Sequence, residues 1–444
     1  LQLCTAGQWK DTGTCADPDV CSIGSGRDVS CGLNAAGIQS QLCAGGQWQD
    51  SGSCSDPDAC TNGSTRNAAC GFNSLGAQPQ LCSGGQWQNI GSCSDPDACA
   101  NGSTREQACG FNDAGTRPQQ CSSGQWSDTG ACEDPDACLE VSAGLFHTCA
   151  LRTNGAVACW GRGDFGNLGN ASSGSSTTPV SVVGLNDATA VRVGAYHSCA
   201  LRAGGAVSCW GHGLYGQLGN GSNGNSNAPV DVTGISDAVA LNAGHSHTCA
   251  LRASGAVVCW GFGTSGQLGN GATAHSATPA SVTGLTDAVA VSAGANHSCA
   301  VRRGGGVVCW GYGYYGQLGN AATADSTTPV SVSGLSDVVQ IAAGGSHNCA
   351  LRATGAIACW GAGTRGQLGS GGTADATVPT PVSSLTDVRM IAAGDSHSCA
   401  VLQNNAVACW GYGYYGQLGN AATQNTAIPV GVNDGAPVPD QHER

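Results

Sequence analysis

The sequence predicts an all-β protein in which a β-propeller follows a stalk of small, disulfide-rich β modules. Three observations support this fold class: Trp and Cys recur at fixed spacings, Gly supplies 71 of the 444 residues, and only 10% of the residues are charged. A long helical protein would contain many more Glu, Lys, Leu and Arg residues. The apolar residues, mostly Ala and Val, suit short strands separated by Gly-rich turns.

The cysteine content indicates the compartment in which the protein works. The chain contains 27 cysteines, and none of them forms a Cys-x-x-Cys or another metal-binding spacing. Because so many thiols persist as disulfides only in an oxidising environment, we predict an extracellular or cell-surface protein. The chain begins at Leu1 without a visible signal peptide, so we expect a processed or partial product. No apolar run is long enough to predict membrane insertion.

The charge balance excludes two classes of partner. The formal net charge is −13, from 16 Lys and Arg residues against 29 Asp and Glu residues. Nucleic-acid binding requires a surplus of basic side chains to replace the counterions on phosphate. Anionic membrane surfaces make the same demand. We therefore expect neither nucleic acid nor a membrane surface as a partner.

Residues 1–138 form a first repeat system with a period of 39 residues. One such unit has too few apolar residues for a core of its own, so disulfides must hold it. We predict an elongated row of stapled modules, the stalk. The recurring cysteines are Cys4, Cys43, Cys82 and Cys121; Cys15, Cys54, Cys93 and Cys132; Cys21, Cys60, Cys99 and Cys138; and Cys31, Cys70 and Cys109.

The number of stalk cysteines is odd. If the cysteines are grouped by four from the C-terminal side, the last complete unit ends at Cys138, and Cys4, Cys15 and Cys21 remain as an incomplete first unit. An odd cysteine in a secreted protein indicates an intermolecular bond or a missing segment. These three residues are therefore the candidates for an intermolecular disulfide. The connectivity within each unit stays open.

From Val141 the period changes to 50 residues. In the first copy, Thr153-Asn154-Gly155 predicts a three-residue hairpin loop with Gly in the left-handed conformation. That loop places Cys149 opposite Cys159, within disulfide reach. The six copies predict six such disulfides: Cys149–Cys159, Cys199–Cys209, Cys249–Cys259, Cys299–Cys309, Cys349–Cys359 and Cys399–Cys409.

Short strands in repeats of this length are typical of propellers and solenoids. Each copy carries variants of Ala-Gly-x-x-His-x-Cys-Ala-Leu, Gly-x-Val-x-Cys-Trp-Gly and Gly-Gln-Leu-Gly-Asn. This pattern resembles the regulator-of-chromosome-condensation repeat family over about residues 140–433. The resemblance implies a closed propeller of four-stranded blades. Family members usually have seven repeats and this chain has six, so the ring either closes with six blades or takes a seventh from irregular sequence or from a partner.

Two further expectations follow for the ends of the propeller. The segment Pro429-Val-Gly-Val432 is expected to complete the first blade and to close the ring. The predicted domains are the stalk at 1–138, the propeller at 139–433 and a tail at 434–444. The N-terminal units also resemble cysteine-rich tandem repeats of large secreted proteins from Gram-negative bacteria, a resemblance that implies no known activity.

No catalytic or cofactor motif is present, so we predict a non-enzymatic protein without a cofactor. A ring of six recurrent histidines could suggest a metal site. The favoured interpretation is one buried, hydrogen-bonded histidine in each blade, because no acid accompanies them at a constant position. These histidines are His147, His197, His247, His297, His347 and His397.

The Asp-Pro-Asp triplets of the stalk offer weak candidates for calcium, which prefers oxygen ligands. The candidate ligands are Asp56, Asp58, Asp95 and Asp97. A Pro between two Asp residues more commonly fixes a turn, and this is the preferred interpretation.

Aromatic residues follow the Trp-Gly strand in several copies, so they should crowd one rim of the ring. Exposed tyrosines concentrated in this way favour a protein or sugar contact surface, and the alternative is packing between blades. The predicted binding rim comprises Tyr312, Tyr314, Tyr315, Tyr412, Tyr414, Tyr415, Tyr215, Phe165 and Phe262.

The leading functional hypothesis is a non-catalytic structural or adhesive protein at a bacterial surface or in a filament. Its propeller head would contact protein or glycan, and the incomplete first stalk unit favours self-association into a polymer. The alternative is a soluble secreted binder or inhibitor of one protein partner that acts through the tyrosine rim. The nuclear exchange-factor role of the resembled family is opposed by the disulfides and by the acidity of the chain.

Overall fold

The computed structural model describes residues 22–31, 37–51, 60–70, 76–94, 99–109, 115–122, 125–133 and 137–433. These residues form strands, turns and loops and contain no helix. The described residues accordingly include no helix that could cross a membrane. The chain divides into two compact units, one of residues 1–109 and 116–133 and one of residues 110–115 and 134–444.

The described residues of the first unit form three antiparallel sheets of three strands each, in the orders β1-β2-β3, β4-β5-β6 and β7-β8-β9. Each sheet represents one 39-residue repeat, and in the first two sheets a tight turn at residues 45–46 or 84–85 joins the second strand to the third. The strands are β1 (Gly26–Cys31), β2 (Gly37–Ala44), β3 (Gln47–Asp50), β4 (Thr65–Cys70), β5 (Gly76–Ser83), β6 (Gln86–Asn89), β7 (Thr104–Cys109), β8 (Gly115–Ser122) and β9 (Gln125–Asp128).

Disulfides and Arg–Trp contacts stabilise these modules in place of an apolar core. In the second module, the Arg66 guanidinium lies 4.5 Å from the Trp87 ring centroid, and the other two described modules repeat this contact. One disulfide-bonded cysteine in each module is only 2% exposed: Cys43, Cys82 and Cys121. The described stalk disulfides are Cys60–Cys82, Cys70–Cys93, Cys99–Cys121 and Cys109–Cys132.

This connectivity corrects the grouping by four from the C-terminal side. That grouping assigns Cys60 and Cys82 to different units, yet their Cα atoms lie 5.8 Å apart and their sulfurs are bonded. A repeating spacing fixes the period but not where one unit begins, which only the three-dimensional pairing decides. The observed pairs group Cys60, Cys70, Cys82 and Cys93 in one unit and Cys99, Cys109, Cys121 and Cys132 in the next. Cys138 then follows the last complete unit, and it is the free, exposed cysteine of the described residues. Cys4, Cys15 and Cys21 lie outside the described residues.

In the second unit the described residues form six four-stranded antiparallel sheets, the blades of a β-propeller, and each blade is built from four consecutive strands. Blade 1 contains β10 (Cys138–Ala143), β11 (His147–Arg152), β12 (Val157–Gly161) and β13 (Ser176–Ser181); blade 2 contains β14 (Ala188–Val193), β15 (His197–Arg202), β16 (Val207–Gly211) and β17 (Ser226–Asp231); blade 3 contains β18 (Ala238–Ala243), β19 (His247–Arg252), β20 (Val257–Gly261) and β21 (Ser276–Ser281); blade 4 contains β22 (Ala288–Ala293), β23 (His297–Arg302), β24 (Val307–Gly311) and β25 (Ser326–Ser331); blade 5 contains β26 (Val338–Ala343), β27 (His347–Arg352), β28 (Ile357–Gly361) and β29 (Ala376–Pro381); blade 6 contains β30 (Val388–Ala393), β31 (His397–Leu402), β32 (Val407–Gly411) and β33 (Thr426–Gly431).

The hairpin between the second and third strands has the geometry that the sequence predicts. Gly155 adopts a φ of 78°, a conformation that a Cβ disfavours, and Cys149 lies directly opposite Cys159. All six predicted pairs are disulfide-bonded, with Cα atoms 4.0–4.1 Å apart. In blade 6 Asn405 takes the place of the glycine with a φ of 68°.

The apolar core lies between blades rather than within them. One cluster combines Leu151, Val157 and Leu168 of blade 1 with Val191 and Trp210 of blade 2, and all five are at most 1% exposed. Four further clusters repeat this arrangement at each step along the chain. Each blade therefore depends on its neighbour to bury its apolar surface.

The last strand corrects one expectation. The segment around Pro429 was predicted to complete blade 1, but β33 pairs with β32, and Val430 lies opposite Cys409 within blade 6. The reason is that blade 1 already has four strands, because β10 begins at Cys138, the residue assigned to the end of the stalk. Each 50-residue repeat is thus a complete blade, and the described strands of blades 1 and 6 pair only within their own blade.

Candidate interaction surface

The loop that follows the third strand of each blade positions the predicted rim residues. In blade 4, the backbone N–H of Tyr315 donates to Oε1 of Gln317 at 2.9 Å, and that of Gly313 donates to Oδ1 of Asp325 at 2.9 Å. Leu318 is fully buried and anchors the end of the loop. With the backbone held in this way, the side chains at positions 312, 314 and 315 project from the same end of the blade. Blade 6 repeats this loop with the same three tyrosines, and the other four blades repeat it with different side chains.

In blades 1 to 3 the rim side chains form an unbroken row of aromatic rings. Successive ring centroids lie 4.8–5.8 Å apart, in stacked and edge-to-face arrangements. Such geometries are the favoured ones for aromatic pairs. The row runs through Phe146, Tyr196, Phe165, His212, Tyr215, Phe262 and His275.

Two separate tyrosine clusters occupy the rims of blades 4 and 6. In each cluster two tyrosines meet edge to face with centroids 5.1 Å apart, as Tyr314 and Tyr315 do in blade 4. Tyr314 is 65% exposed and its counterpart Tyr414 is 62% exposed. These side chains therefore offer ring faces and hydroxyl groups to solvent, which is the combination that protein and sugar contacts use.

The structure brings together only part of the predicted rim. Phe165, Tyr215 and Phe262 belong to one row, whereas the tyrosines of blades 4 and 6 form two clusters separated by blade 5. At that blade the rim carries Arg365, whose guanidinium lies 4.2 Å from the Tyr412 ring centroid. The rim thus contains a cationic group next to the blade 6 cluster.

Sequence reasoning missed four members of the aromatic row. Phe146 and Tyr196 come from the loop between the first and second strands, one residue before the recurrent histidine, where other copies have Ser or Asn. His212 and His275 also belong to the row. An alignment of the six repeats column by column would have pointed to Phe146 and Tyr196, because the other four copies have Ser or Asn at that position.

The charges on the rim are few and local. Arg162 lies over the Phe146 ring and is ion-paired with Asp164 at 2.6 Å, and the hydrogen bond that its Nε donates to that carboxylate raises the pKa of the Arg162 guanidinium. Burial lowers the pKa of His212, whose Nδ1 accepts a hydrogen bond from Nε2 of Gln217 at 2.7 Å. His212 is therefore a neutral ring at physiological pH. The row is suited to stacking and hydrogen bonding rather than to acid–base chemistry.

The six recurrent histidines are not members of the aromatic row, and the first five of them lie between successive blades. Five of them are buried, and their Nε2 atoms lie 2.7–3.0 Å from a Ser, Thr or Asn side chain of the following blade. His397 is half-buried. Among the described residues, no group of three or more His, Cys, Asp or Glu side chains could hold a metal ion. The calcium candidates Asp56, Asp58, Asp95 and Asp97 lie outside the described residues.

Comparison with known proteins relates this architecture to one family. The RCC1-like domain profile matches residues 102–440. The fold resembles Prp20p of Saccharomyces cerevisiae (26% identity, 66% of this chain and 76% of that chain, TM-score 0.60). It also resembles yeast RCC1 (Prp20) bound to Kap60 (24%, 67% and 75%, TM-score 0.61) and human WBSCR16 (23%, 73% and 88%, TM-score 0.62). No curated protein sequence matches the chain. Because the family profile covers more than half of its residues, the chain belongs to the RCC1-like domain family.

Proposed function

We propose that this chain is a non-catalytic extracellular structural or adhesive protein, at a bacterial surface or in a filament, whose propeller contacts protein or glycan through its aromatic rim. The observation that carries the proposal is the set of exposed rings on one end of the propeller. Tyrosines that are more than 60% exposed on a rigid loop lose little conformational entropy when a partner covers them.

The covalent structure supports the extracellular part of the proposal. Ten described disulfides staple both units, and such a density is typical of proteins that leave a reducing cytosol. Their number also suits a mechanical role, because each cross-link limits how far the chain can extend under load. The stalk modules depend on these bonds in place of a core.

The solved relatives support a protein as the partner. The structure of Prp20p is described together with its binding to Gsp1p and histones, and the related yeast RCC1 structure contains Kap60. For the present chain, the acidic balance and the disulfides favour a different, extracellular partner. A glycan remains within the proposal because rows of aromatic rings stack on the apolar faces of sugars.

Adhesion can be tested with beads that carry the full chain, applied to a glycan array and to the outer surface of whole bacterial cells. We expect retention of the wild-type beads and at least about a tenfold loss for the Tyr314→Ala/Tyr414→Ala variant, because exposed aromatic anchors dominate such contacts. Val289→Arg changes an exposed residue away from the rim and serves as the control. Equal retention of the rim variant and the wild type would refute a rim-mediated contact.

A second candidate function is a soluble secreted binder or inhibitor of one protein partner. The continuous row in blades 1 to 3 favours it, because a single partner could cover those seven adjoining rings. This function predicts one stoichiometric, high-affinity complex that Phe165→Ala weakens and Tyr414→Ala does not. Adhesion instead predicts many weak contacts that require a multivalent surface.

A further inference from the structure

Rim side chains of successive blades pack on one another at the same two repeat positions. One is the residue two before the loop Asn or Gln, and the other is the residue that directly follows the third strand of the next blade. Phe165 meets His212 in this way with ring centroids 4.9 Å apart, and Tyr215 meets Phe262 at 5.0 Å. Each of these following rings is thus covered by a side chain of the preceding blade.

At the step from blade 5 to blade 6 the covering group is a cation. The guanidinium of Arg365 lies 4.2 Å from the centroid of the Tyr412 ring, a distance typical of a cation–π contact. The backbone N–H of Arg365 donates to Oε1 of Gln367 at 2.9 Å, which fixes the loop from which the side chain extends. The Tyr412 ring therefore already binds a guanidinium group that belongs to the same chain.

Blade 4 has the same tyrosine cluster without this cover. Tyr312 and Tyr314 have centroids 6.3 Å apart and ring planes 19° apart, and the corresponding pair in blade 6 has 6.3 Å and 17°. The residue that blade 3 provides here is Ser265, whose N–H makes the same loop hydrogen bond as that of Arg365. Within the described part of the chain, the ring contacts of Tyr312 are with Tyr314 and Tyr315 of its own loop. The ring is left without the cover that the guanidinium gives in blade 6.

Successive blades meet in the same way at both steps. The backbone N–H of Gly271 in blade 3 donates to the carbonyl of Thr327 in blade 4 at 2.9 Å. The backbone N–H of Gly371 in blade 5 donates to the carbonyl of Ala427 in blade 6 at 2.8 Å. The loop of blade 3 therefore stands against blade 4 as the loop of blade 5 stands against blade 6, and the difference between the two steps lies in the side chains.

A carboxylate lies beside the uncovered ring. Oδ1 of Asp325 accepts a hydrogen bond from the backbone N–H of Gly313, the residue after Tyr312, at 2.9 Å. In blade 6 the same acceptor is Asn425, an uncharged amide. Desolvation raises the pKa of the Tyr312 hydroxyl, and the charges of Tyr315 and Asp325 add to that rise. Blade 4 thus combines an anionic group with an uncovered ring, whereas blade 6 combines a neutral amide with a ring that a cation covers.

We propose that Tyr312 and Asp325 bind the guanidinium of an arginine side chain from a protein partner, on the part of the ring that Ser265 leaves uncovered. The chain itself places a guanidinium on the equivalent ring of blade 6. Such a planar group stacks on an aromatic face while its N–H groups donate to a carboxylate. One contact of this kind is weak, which suits a surface that adheres through many contacts. The inference deepens the proposed function and rests on it for a protein as the source of the arginine.

The test follows the tyrosine rings of the full chain by NMR while N-acetyl-arginine amide is added. Selective carbon-13 labelling makes the rings of the eight tyrosines visible, and the signal that Tyr312→Phe removes belongs to Tyr312. We expect the Tyr312 signal to shift in a saturable way and the Tyr412 signal to stay in place. N-acetyl-citrulline amide has a similar shape without the charge, and it should shift neither signal.

Two substitutions exchange the conditions of the two blades. Ser265→Arg gives blade 4 a covering guanidinium of its own and should abolish the shift of the Tyr312 signal. Arg365→Ser uncovers the ring of blade 6 and should produce a shift of the Tyr412 signal, a weaker one because Asn425 carries no charge. Each variant introduces a residue that another blade already has at the same loop position, so we expect both to fold.

The contribution of the carboxylate is tested separately. Asp325→Asn copies the residue of blade 6 and should weaken binding of the arginine probe about two- to fivefold, the range of an exposed ion pair. A higher salt concentration should narrow the difference between this variant and the wild type, because salt screens the attraction between exposed charges.

Three results would overturn the proposal. A Tyr312 signal that does not shift, or that shifts equally with the citrulline probe, would show that this ring recognises no cation. A shift that Ser265→Arg leaves unchanged would place the binding elsewhere on the rim. Equal binding of N-acetyl-lysine amide would remove the assignment of a guanidinium. The titration contains no cells and no glycans, so it can fail while the beads still adhere and can succeed while they do not.

Discussion

Nε2 of His297 lies 3.0 Å from Oδ1 of Asn348 in the following blade, and this contact fixes the protonation of the imidazole. The amide N–H of Asn348 donates to the carbonyl of Gln317 at 2.8 Å, which turns the amide oxygen toward the histidine. Because an amide oxygen only accepts hydrogen bonds, Nε2 carries the hydrogen. Nδ1 of His297 is then unprotonated, and it is buried with no hydrogen-bond partner in the described part of the chain.

The first prediction concerns pH. Burial lowers the pKa of His147 and His297 to about 4 and that of His197, His247 and His347 to about 3. The unfolded chain takes up these protons near pH 6.5, whereas the folded chain resists them. The free energy of unfolding should therefore be greatest above pH 6.5 and fall as the pH decreases toward 4, by up to about 1.4 kcal/mol per pH unit for each histidine.

Urea unfolding at pH 7, 5.5 and 4.5, with the disulfides intact, measures this dependence. The change in the free energy of unfolding per pH unit should be smaller in His247→Asn, by the contribution of about one bound proton. The same variant is also expected to be less stable than the wild type at pH 7. His275→Asn is the matched control, because His275 is exposed and the equivalent residue in blade 2 is Asn225. A slope that His247→Asn leaves unchanged would contradict the assignment of neutral, buried imidazoles.

The second prediction compares two tryptophans at the same position of different blades. Trp260→Phe removes the donor to the carbonyl of Gln217 inside a fully buried site, so it should cost about 1–3 kcal/mol more than the loss of ring area alone. Trp160→Phe should cost less, because the indole of Trp160 is half-buried. Chemical unfolding of the two variants and the wild type measures both losses, and equal losses would show that Trp160 is as well covered in solution as Trp260.

The third prediction concerns the order in which disulfides are reduced. Access of the attacking thiolate controls the reaction, and the half-exposed Cys60 makes its stalk disulfide accessible. In contrast, both cysteines of the Cys249–Cys259 disulfide are 0% exposed. Stalk disulfides should open first under limiting dithiothreitol, then Cys399–Cys409, whose Cys399 is half-buried, and the five other blade disulfides last.

Mass spectrometry of alkylated peptides after partial reduction follows each pair in a single sample. The five buried blade pairs act as internal controls for Cys399–Cys409, because all six share the same loop length. If the blade 6 disulfide were reduced as slowly as the others, the surface of blade 6 around Cys399 would be covered in solution.

The fourth prediction concerns the stalk. The Arg66 side chain lies over Trp87 and its Nε donates to Oε1 of Gln80 at 2.8 Å. Arg66→Gln should lower the stability of that module by about 0.5–1 kcal/mol at this exposed site, and Arg66→Lys should retain part of the contact. Limited proteolysis of the two variants and the wild type reports local opening, and indistinguishable cleavage rates would show that the disulfides alone hold the module.

Local features of the propeller could be read from the sequence because they depend on neighbouring residues. The position of Gly155 and the Cys149–Cys159 register follow from a three-residue hairpin, and the structure has both. Features that depend on distant pairing could not be read in this way. The spacing of the stalk cysteines is equally compatible with the pairing of Cys60 to a partner on either side, and only the fold joins it to Cys82.

The candidate site was predicted in composition but not in arrangement. Tyr215 and Phe262 were recognised as rim residues from one loop, yet the ring that continues their row, His275, comes from the segment leading into the fourth strand. The exposure of Val141 in blade 1 was missed for a related reason. Val141 and Val191 are the same residue at the same repeat position, so nothing local distinguishes the exposed one from the buried one.

The sharing of each core cluster between two blades has a consequence for how such genes change. A duplication or deletion of one whole repeat, at any phase, joins a preceding half-interface to a following half-interface of the same type. The histidine, the indole and the apolar partners are then restored at the new junction, and the disulfide of every blade stays within its own repeat. Blade copy number can therefore drift by recombination without a destabilised intermediate, while the side chains on each rim loop diversify independently.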